Sequence, residues 1–280
     1  MEDVRIFAFA DEADPSLEGQ IAAMKRNGLA GLEIRGVDGE NVANITVEKA
    51  KEVRARLDAE GLITWSVGSP IGKIHIEKDD FEAHKETFKR TLEIANILGA
   101  ENLRLFSFYM PTDKDPAIYK NEVIDRLGAL ATLAVGSGVL LCHENEKGIY
   151  GDNARRCLDI LEAVPLLRAV FDPANFVQCG QDTLEAWEML NPYVKYLHIK
   201  DAKLNGDIVP AGKGAGNIPQ ILQEYRLQGG FAVTMEPHLA EFSGLAGLER
   251  EGEKSQVGGE GFSNLHEAFD YGVASFKALL

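Results

Sequence analysis

The feature that most restricts the fold is a regular alternation of short apolar runs with longer segments of helical spacing. Strand-type runs occur at RIFAFA, AGLEIRG, LITWSVG, ENLRLFSF, GVLLCHE, LRAVFD, YVKYLHI and GFAVTME. Short stretches rich in branched and aromatic residues suit buried strands. Between them apolar residues recur at three- and four-residue steps, the mark of a one-sided helix. Ala154, Cys157, Leu158 and Leu161 form one stripe, Phe81, Phe88, Leu92 and Ala95 a second, and Phe269, Val273, Phe276 and Leu280 a third. Asp182 with Glu185, and Asn264 with Glu267, read as helix starts, because their side chains cap free backbone N–H groups. Gly28, Gly61, Gly99 and Gly138 fall at or just beyond helix ends, where a left-handed residue is needed.

Eight strand–helix units in 280 residues, with no Pro/Ser-rich linker, predict a single-domain α/β chain, a (β/α)8 TIM barrel spanning 1–280,. An open doubly wound sheet is the competitor. It is disfavoured because DEADPSLEG follows the first strand, where a nucleotide-binding half places a glycine-rich turn,. A barrel makes a positional demand: functional groups belong at the C-terminal ends of its strands.

Charge and cysteine usage narrow the partners. A net charge of −15 repels polyanions, so no nucleic-acid partner is expected,. Cys142, Cys157 and Cys179 are scattered without CxxC spacing, which implies reduced thiols and a cytoplasmic location. MEDVRIFAFADEADP has no basic region before its apolar run and is not a secretory signal,. No apolar run approaches the roughly 20 residues that span a bilayer, so no membrane partner is expected. A homodimer is the cautious expectation for the oligomer.

The stretch LLCHENEKG raises the functional question, because an apolar strand runs directly into His143, Glu144, Asn145 and Glu146. The same happens on the last four strands: Glu144 ends the fifth, Asp172 the sixth, His198 the seventh and Glu236 the eighth. Any one of these alone is an ordinary strand-end or turn residue. Four at one level of a barrel mouth form a candidate site. The outer two positions carry the longer carboxylate, glutamate, as convergence on one point requires. Three carboxylates and one imidazole suit one divalent ion, Mn²⁺, Mg²⁺, Co²⁺ or Fe²⁺, with Zn²⁺ also accommodated.

Through HENEKG, VFDPANF, YLHIKDA with the following VPAGKGAG, and TMEPH, the chain resembles the xylose isomerase-like barrel family. That family includes sugar phosphate isomerases and epimerases such as tagatose 3-epimerase and hydroxypyruvate isomerase. The resemblance covers nearly the whole chain in architecture and is specific mainly over 139–238. It implies a single divalent metal held by Glu144, Asp172, His198 and Glu236, with Glu144 and Glu236 exchanging protons with substrate. Two departures stand out: Asn175 occupies a position where the epimerases often carry histidine, and Lys200 and Asp201 follow His198 where they tend to carry arginine. Substrate identity is therefore not carried over.

The chemistry expected is removal of a proton beside a carbonyl and its return through an enediolate. Return to the opposite face gives epimerisation, return to the adjacent carbon gives isomerisation, and loss of a β-hydroxyl gives dehydration. Substrate-binding candidates are Lys200, on the same face as His198, with Asn175, Glu146, Lys213 and Arg35. Glu33 and Arg35 line the mouth or form an ion pair. AGKGAGN holds Lys213 among glycines but lacks a phosphate-loop order,, so a flexible loop is expected there. The acidic, glycine-rich stretch 237–263 reads as a lid or oligomer contact,. A dehydratase on the same metal site is the alternative function. An abasic-site endonuclease and a non-catalytic sugar binder rank below it, the former because six histidines are too few for a three-zinc cluster.

Overall fold

All eight expected strands are present in the computed structural model, which describes residues 4–242, 257 and 261–280. They are β1 (Arg5–Ala8), β2 (Gly31–Ile34), β3 (Ile63–Gly68), β4 (Asn102–Leu105), β5 (Leu140–Glu144), β6 (Arg168–Phe171), β7 (Val194–Ile199) and β8 (Ala232–Met235). Each pairs in parallel with its sequence neighbours, and β8 closes the barrel against β1, with Arg5 opposite Ala232 and Ala8 opposite Met235. Register shifts occur at Leu32/Glu33 against β3 and at Ala169/Val170 against β7.

The described helices are α1 (Leu17–Arg26), α2 (Val47–Ala59), α3 (Phe81–Leu98), α4 (Lys120–Ala134), α5 (Ala154–Ala163), α6 (Pro173–Gln178), α7 (Thr183–Leu190), α8 (Ile218–Leu227) and α9 (Leu265–Lys277). Their starts follow local chemistry. Asp182 accepts from the backbone N–H groups of Leu184 and Glu185, and Asn264 accepts from that of Glu267,. Gly99 ends α3 at φ +69°, the left-handed conformation that closes its last turn,. The stripes differ at their margins: Leu280 is exposed, Phe81 and Leu158 are half-buried, and Ile160 joins the buried face of α5. α6 is an extra turn that sequence periodicity did not foresee. It exists because Asp172 caps it, accepting from Asn175 N at 2.9 Å, with Pro173 in its first turn,.

Period-two alternation divides the side chains between two cores. Leu103, Leu141, Leu197, Ile199 and Val233 face outward and pack with helix residues such as Ile21, Val53, Phe88 and Leu127. Inside, Phe7, Trp65, Cys142, Val170, Tyr196 and Ala232 form a separate plug. Phe7 stacks on Trp65 at 5.1 Å, and Tyr196 meets Trp65 edge-on. This plug floors the site above it. Cys142, Cys157 and Cys179 are free thiols, and no helix among the described residues is long and apolar enough to cross a membrane. The lid expected over 237–263 lies for the most part outside the described residues. Its described start, 237–242, packs at the barrel mouth, where the His238 ring lies 5.5 Å from that of Phe242.

Candidate active site

Alternation assembles the site from the plug upward. Above inward-facing Tyr196 on β7 come His198 and Lys200. Above Cys142 comes Glu144, above Val170 comes Asp172, and above Ala232 and Thr234 comes Glu236. One ligand-type atom from each of Glu144, Asp172, His198 and Glu236 lies within 4.8 Å of all the others, and all four residues are buried. His198 Nδ1 is 2.8 Å from Glu144 Oε1, 3.3 Å from Glu236 Oε2 and 4.0 Å from Asp172 Oδ2.

This arrangement fits a divalent cation. Ligands at about 2.1 Å on opposite sides of an ion are about 4.2 Å apart, so the spread matches one ion. Glu144 Oε2 and Asp172 Oδ2 are buried without a hydrogen-bond partner. Arg104 Nη1 at 3.2 Å and Lys200 Nζ at 2.9 Å are within ion-pair reach of these two oxygens, but no hydrogen bond forms to either. Buried anionic oxygens of that kind are stabilised by coordination.

The charges are strongly coupled. Burial pushes the Asp172 carboxyl up to about 7, with Glu236 and Glu144 adding to the rise and Lys200 opposing it. Burial disfavours a charged His198, yet Glu144 and Glu33 outweigh it and hold the imidazole well above its ordinary value. Glu236 is held well below the usual carboxylate range, because Lys200 and His238 overcome the effect of burial.

A second layer fixes the first. Glu33, fully buried, accepts from Tyr196 Oη at 2.9 Å and from Ser66 Oγ at 3.2 Å, while its Oε2 lies 3.1 Å from His198 Nε2. The two glutamates each have an arginine on the oxygen turned away from His198: Arg104 on Glu144 Oε2, and Arg35 Nη1 on Glu236 Oε1 at 3.0 Å. Arg35 also forks onto Asp11 at 2.9 and 3.0 Å and reaches Glu12 at 3.3 Å. His238 sits at φ +48°, with Nε2 3.3 Å from both Glu12 Oε1 and Glu236 Oε1. Glu12, Glu236 and His238 thus form another close group of ligand-type atoms. Arg35 already compensates the same two carboxylate oxygens.

The structure places the expected residues unevenly. Lys200 joins the quartet, with Nζ 2.9 Å from Asp172 and 3.3 Å from Glu236. Asn175 works beneath it: Nδ2 donates to Asn145 O at 2.9 Å, which braces the turn carrying Asp172. Glu146 stands to one side with Lys73 at 3.4 Å. Arg35 and Glu33 do not pair with each other but serve Glu236 and His198 respectively. Lys213 is exposed and makes no contact with the quartet. Its loop is not loose: Asp201 accepts from the backbone N–H groups of Gly212, Gly214 and Gly216, each at 2.9 Å. The amides that would hold a phosphate hold the chain's own carboxylate instead, and a Cβ at Gly214 would fall 2.3 Å from Asp201 Oδ1. His143 faces outward, 2.9 Å from Ser107 Oγ, and burial pushes its imidazole down to about 3.

Arg104, Asp11, Glu12, His238 and Lys73 were not foreseen. Asn102 and Arg104, polar at alternate positions of an apolar strand, were the legible signal for an inward polar face.

A family model described as xylose isomerase-like TIM barrel matches residues 21–252. The chain belongs to that family. No curated protein sequence matches it. Among solved structures of this fold it is similar to the probable 3-DHS dehydratase AsbF of Bacillus anthracis, at 18% identity and TM-score 0.73, covering 99% of this chain and 98% of that one. D-psicose 3-epimerase crystallised with D-fructose matches at 16% identity and TM-score 0.74, covering 98% and 97%. The IOLI protein with a bound zinc atom matches at 16% identity and TM-score 0.72, covering 99% and 97%. At such identities the likeness establishes the xylose isomerase-like fold and nothing finer.

Proposed function

We propose that this chain is a divalent-metal-dependent isomerase or epimerase of a small sugar or sugar derivative. The observation that carries the reading is the convergence of Glu144, Asp172, His198 and Glu236 within 4.8 Å, with two of the carboxylate oxygens lacking a hydrogen-bond partner. These four residues would hold the ion, with Mn²⁺, Mg²⁺ and Co²⁺ favoured by the oxygen-rich set and Zn²⁺ accommodated. A bound divalent ion supplies Lewis-acid polarisation of a substrate carbonyl, which acidifies the adjacent C–H.

The protein's own groups then move the proton. Glu144 and Glu236 stand on strands separated by β6 and β7, and each is held from behind by its own arginine. One carboxylate takes the proton from the carbon beside the carbonyl, and the other returns it. Lys200, between Asp172 and Glu236, is placed to donate a hydrogen bond to a substrate oxygen. The aromatic floor of Phe7, Trp65 and Tyr196 keeps water from entering below,.

Incubating the metal-loaded protein with a panel of ketoses and keto-acids in D₂O tests the reading. Deuterium should appear at a carbon beside the carbonyl and should be lost in Glu236→Gln. Absence of exchange with every carbonyl substrate refutes it.

A dehydratase is the second reading, favoured by the His238 ring 3.3 Å from Glu236, a donor positioned for a departing hydroxyl. A product lighter by one water separates it from the first.

A further inference from the structure

We propose a second ligand site, apart from the mouth, that takes a small organic dianion of the phosphate-monoester type. It lies at the N-terminal end of the barrel, on the far side of the aromatic plug, and is independent of the metal reading above.

A cavity of about 480 Å³ opens there, between the starts of β6, β7 and β8 and the C-terminal ends of α7 and α8. That size is within the range of small-molecule sites. Leu140, Pro192, Val194 and Phe231 give it an apolar wall, and two cations, Arg168 and Lys195, share the lining. Among the described residues no carboxylate lines the cavity, and neither cation forms an ion pair. The chain carries 44 acidic residues against 29 basic ones. Two adjacent cations facing a carboxylate-free cavity therefore reverse the local field.

Local structure aims both side chains. Val194 stands opposite Ala169 and Tyr196 opposite Val170, so Lys195 is the residue that the ladder passes over. An extra residue of this kind re-aims a side chain. Here it brings Lys195 Nζ to 5.2 Å from the centre of the Trp65 ring and 5.9 Å from that of Phe231. Arg168 begins β6, and its Nη1 donates to Pro165 O at 3.1 Å and Leu167 O at 2.9 Å. Those bonds fix the guanidinium and leave Nε and Nη2 for a ligand. Helix C-termini carry partial negative charge that could occupy the two cations, but their carbonyls here have other donors. Asn191 Nδ2 donates to Trp187 O and Glu188 O, and the amides of Gly229 and Gly230 donate to Arg226 O and Tyr225 O.

The ligand class follows from charge and shape. Two positive charges match a dianion, and a phosphate monoester carries about −1.5 to −2. A guanidinium presents paired donors to phosphate oxygens. The apolar wall takes the carbon portion.

Calorimetric titration of the protein as purified tests the site, with phenyl phosphate as the probe and phenol as its neutral counterpart. Phenyl phosphate should bind at one site per chain, at least about tenfold more tightly than phenol. Arg168→Gln and Lys195→Gln should each weaken it by about tenfold, the scale of one charge partly screened by water. Melting temperatures serve as the folding control, and Arg168, which is exposed, keeps the test decisive should Lys195→Gln disturb the plug. Lys147→Gln removes a half-buried cation just past the C-terminal end of β5, at the opposite end of the barrel, and should leave binding unchanged. Absence of saturable binding overturns the proposal, as does equal binding of phenol. Binding that survives Arg168→Gln also overturns it, and a loss in Lys147→Gln would then place the anion at the mouth.

Discussion

His198 Nε2 lies 3.1 Å from Glu33 Oε2, both side chains fully buried, and this contact turns the other ring nitrogen toward Glu144, Asp172 and Glu236. Glu33 is in turn fixed by Tyr196 and Ser66, so the aromatic plug sets the orientation of the candidate ligand above it. A carboxylate behind a ligating histidine fixes its ring and raises its basicity.

Replacing Glu33 by Gln should weaken divalent-metal affinity about 10- to 100-fold, the usual consequence of losing such a support. Competition with a chromophoric chelator measures it. Unchanged affinity in a variant that melts like the parent would deny Glu33 this role.

Elemental analysis of the purified protein should find about one divalent ion per chain, as a closed set of four ligands implies. Glu144→Ala should reduce this to background. A variant that keeps its full complement of metal places the ion elsewhere.

Metal binding should strengthen as pH rises. Asp172 is pushed up to about 7 without an ion, so below that pH the ion must displace its proton, and the His198 imidazole, held well above its ordinary value, gives up a further proton on either side of pH 7,. Apparent affinity should therefore climb with pH by up to about tenfold per unit for each proton displaced, more steeply below 7 than above it. The metal-free protein behaves in the opposite sense. A carboxyl whose folded-state value is raised contributes stability at acid pH, and that contribution is lost as pH rises through 7. The gap in Tm between loaded and metal-free protein should accordingly widen from pH 5.5 to 8 in scanning calorimetry.

Arg35 compensates Asp11, Glu12 and Glu236 within the barrel mouth. Arg35→Met should destabilise the fold by about 3–5 kcal/mol, the cost of leaving buried carboxylates unmatched, read by urea unfolding at pH 7. Arg35→Lys should recover only part of this, because a single ammonium cannot fork onto Asp11 and also reach Glu236. Full recovery would mean that only the charge matters.

Sequence legibility followed the range of the interactions. Strand ends and helix caps are local: Glu144, Asp172, His198 and Glu236 each terminate an apolar run, and Asp182 and Asn264 cap the turn immediately after them. Lys200 was also within reach, two residues past His198 on an extended segment. The glycine loop was misjudged as flexible because its anchor, Asp201, lies more than ten residues upstream of the amides it holds. Glu33 and Arg35 were noticed, but the site residues they support, His198 and Glu236, are more than 160 residues away in the chain, and no spacing rule links them.

The chain's periodicity alone determined eight strand–helix units and, through alternation on each strand, which side chains share the barrel's inner face. Those properties depend on backbone geometry within a few residues. Tertiary structure decided which inward groups meet: that Arg104 backs Glu144 while Arg35 backs Glu236, that Glu33 supports His198, and that Lys200 falls between Asp172 and Glu236. Such pairings arise only when the sheet closes, because shear and register between strands far apart in sequence set the distances over which charges act.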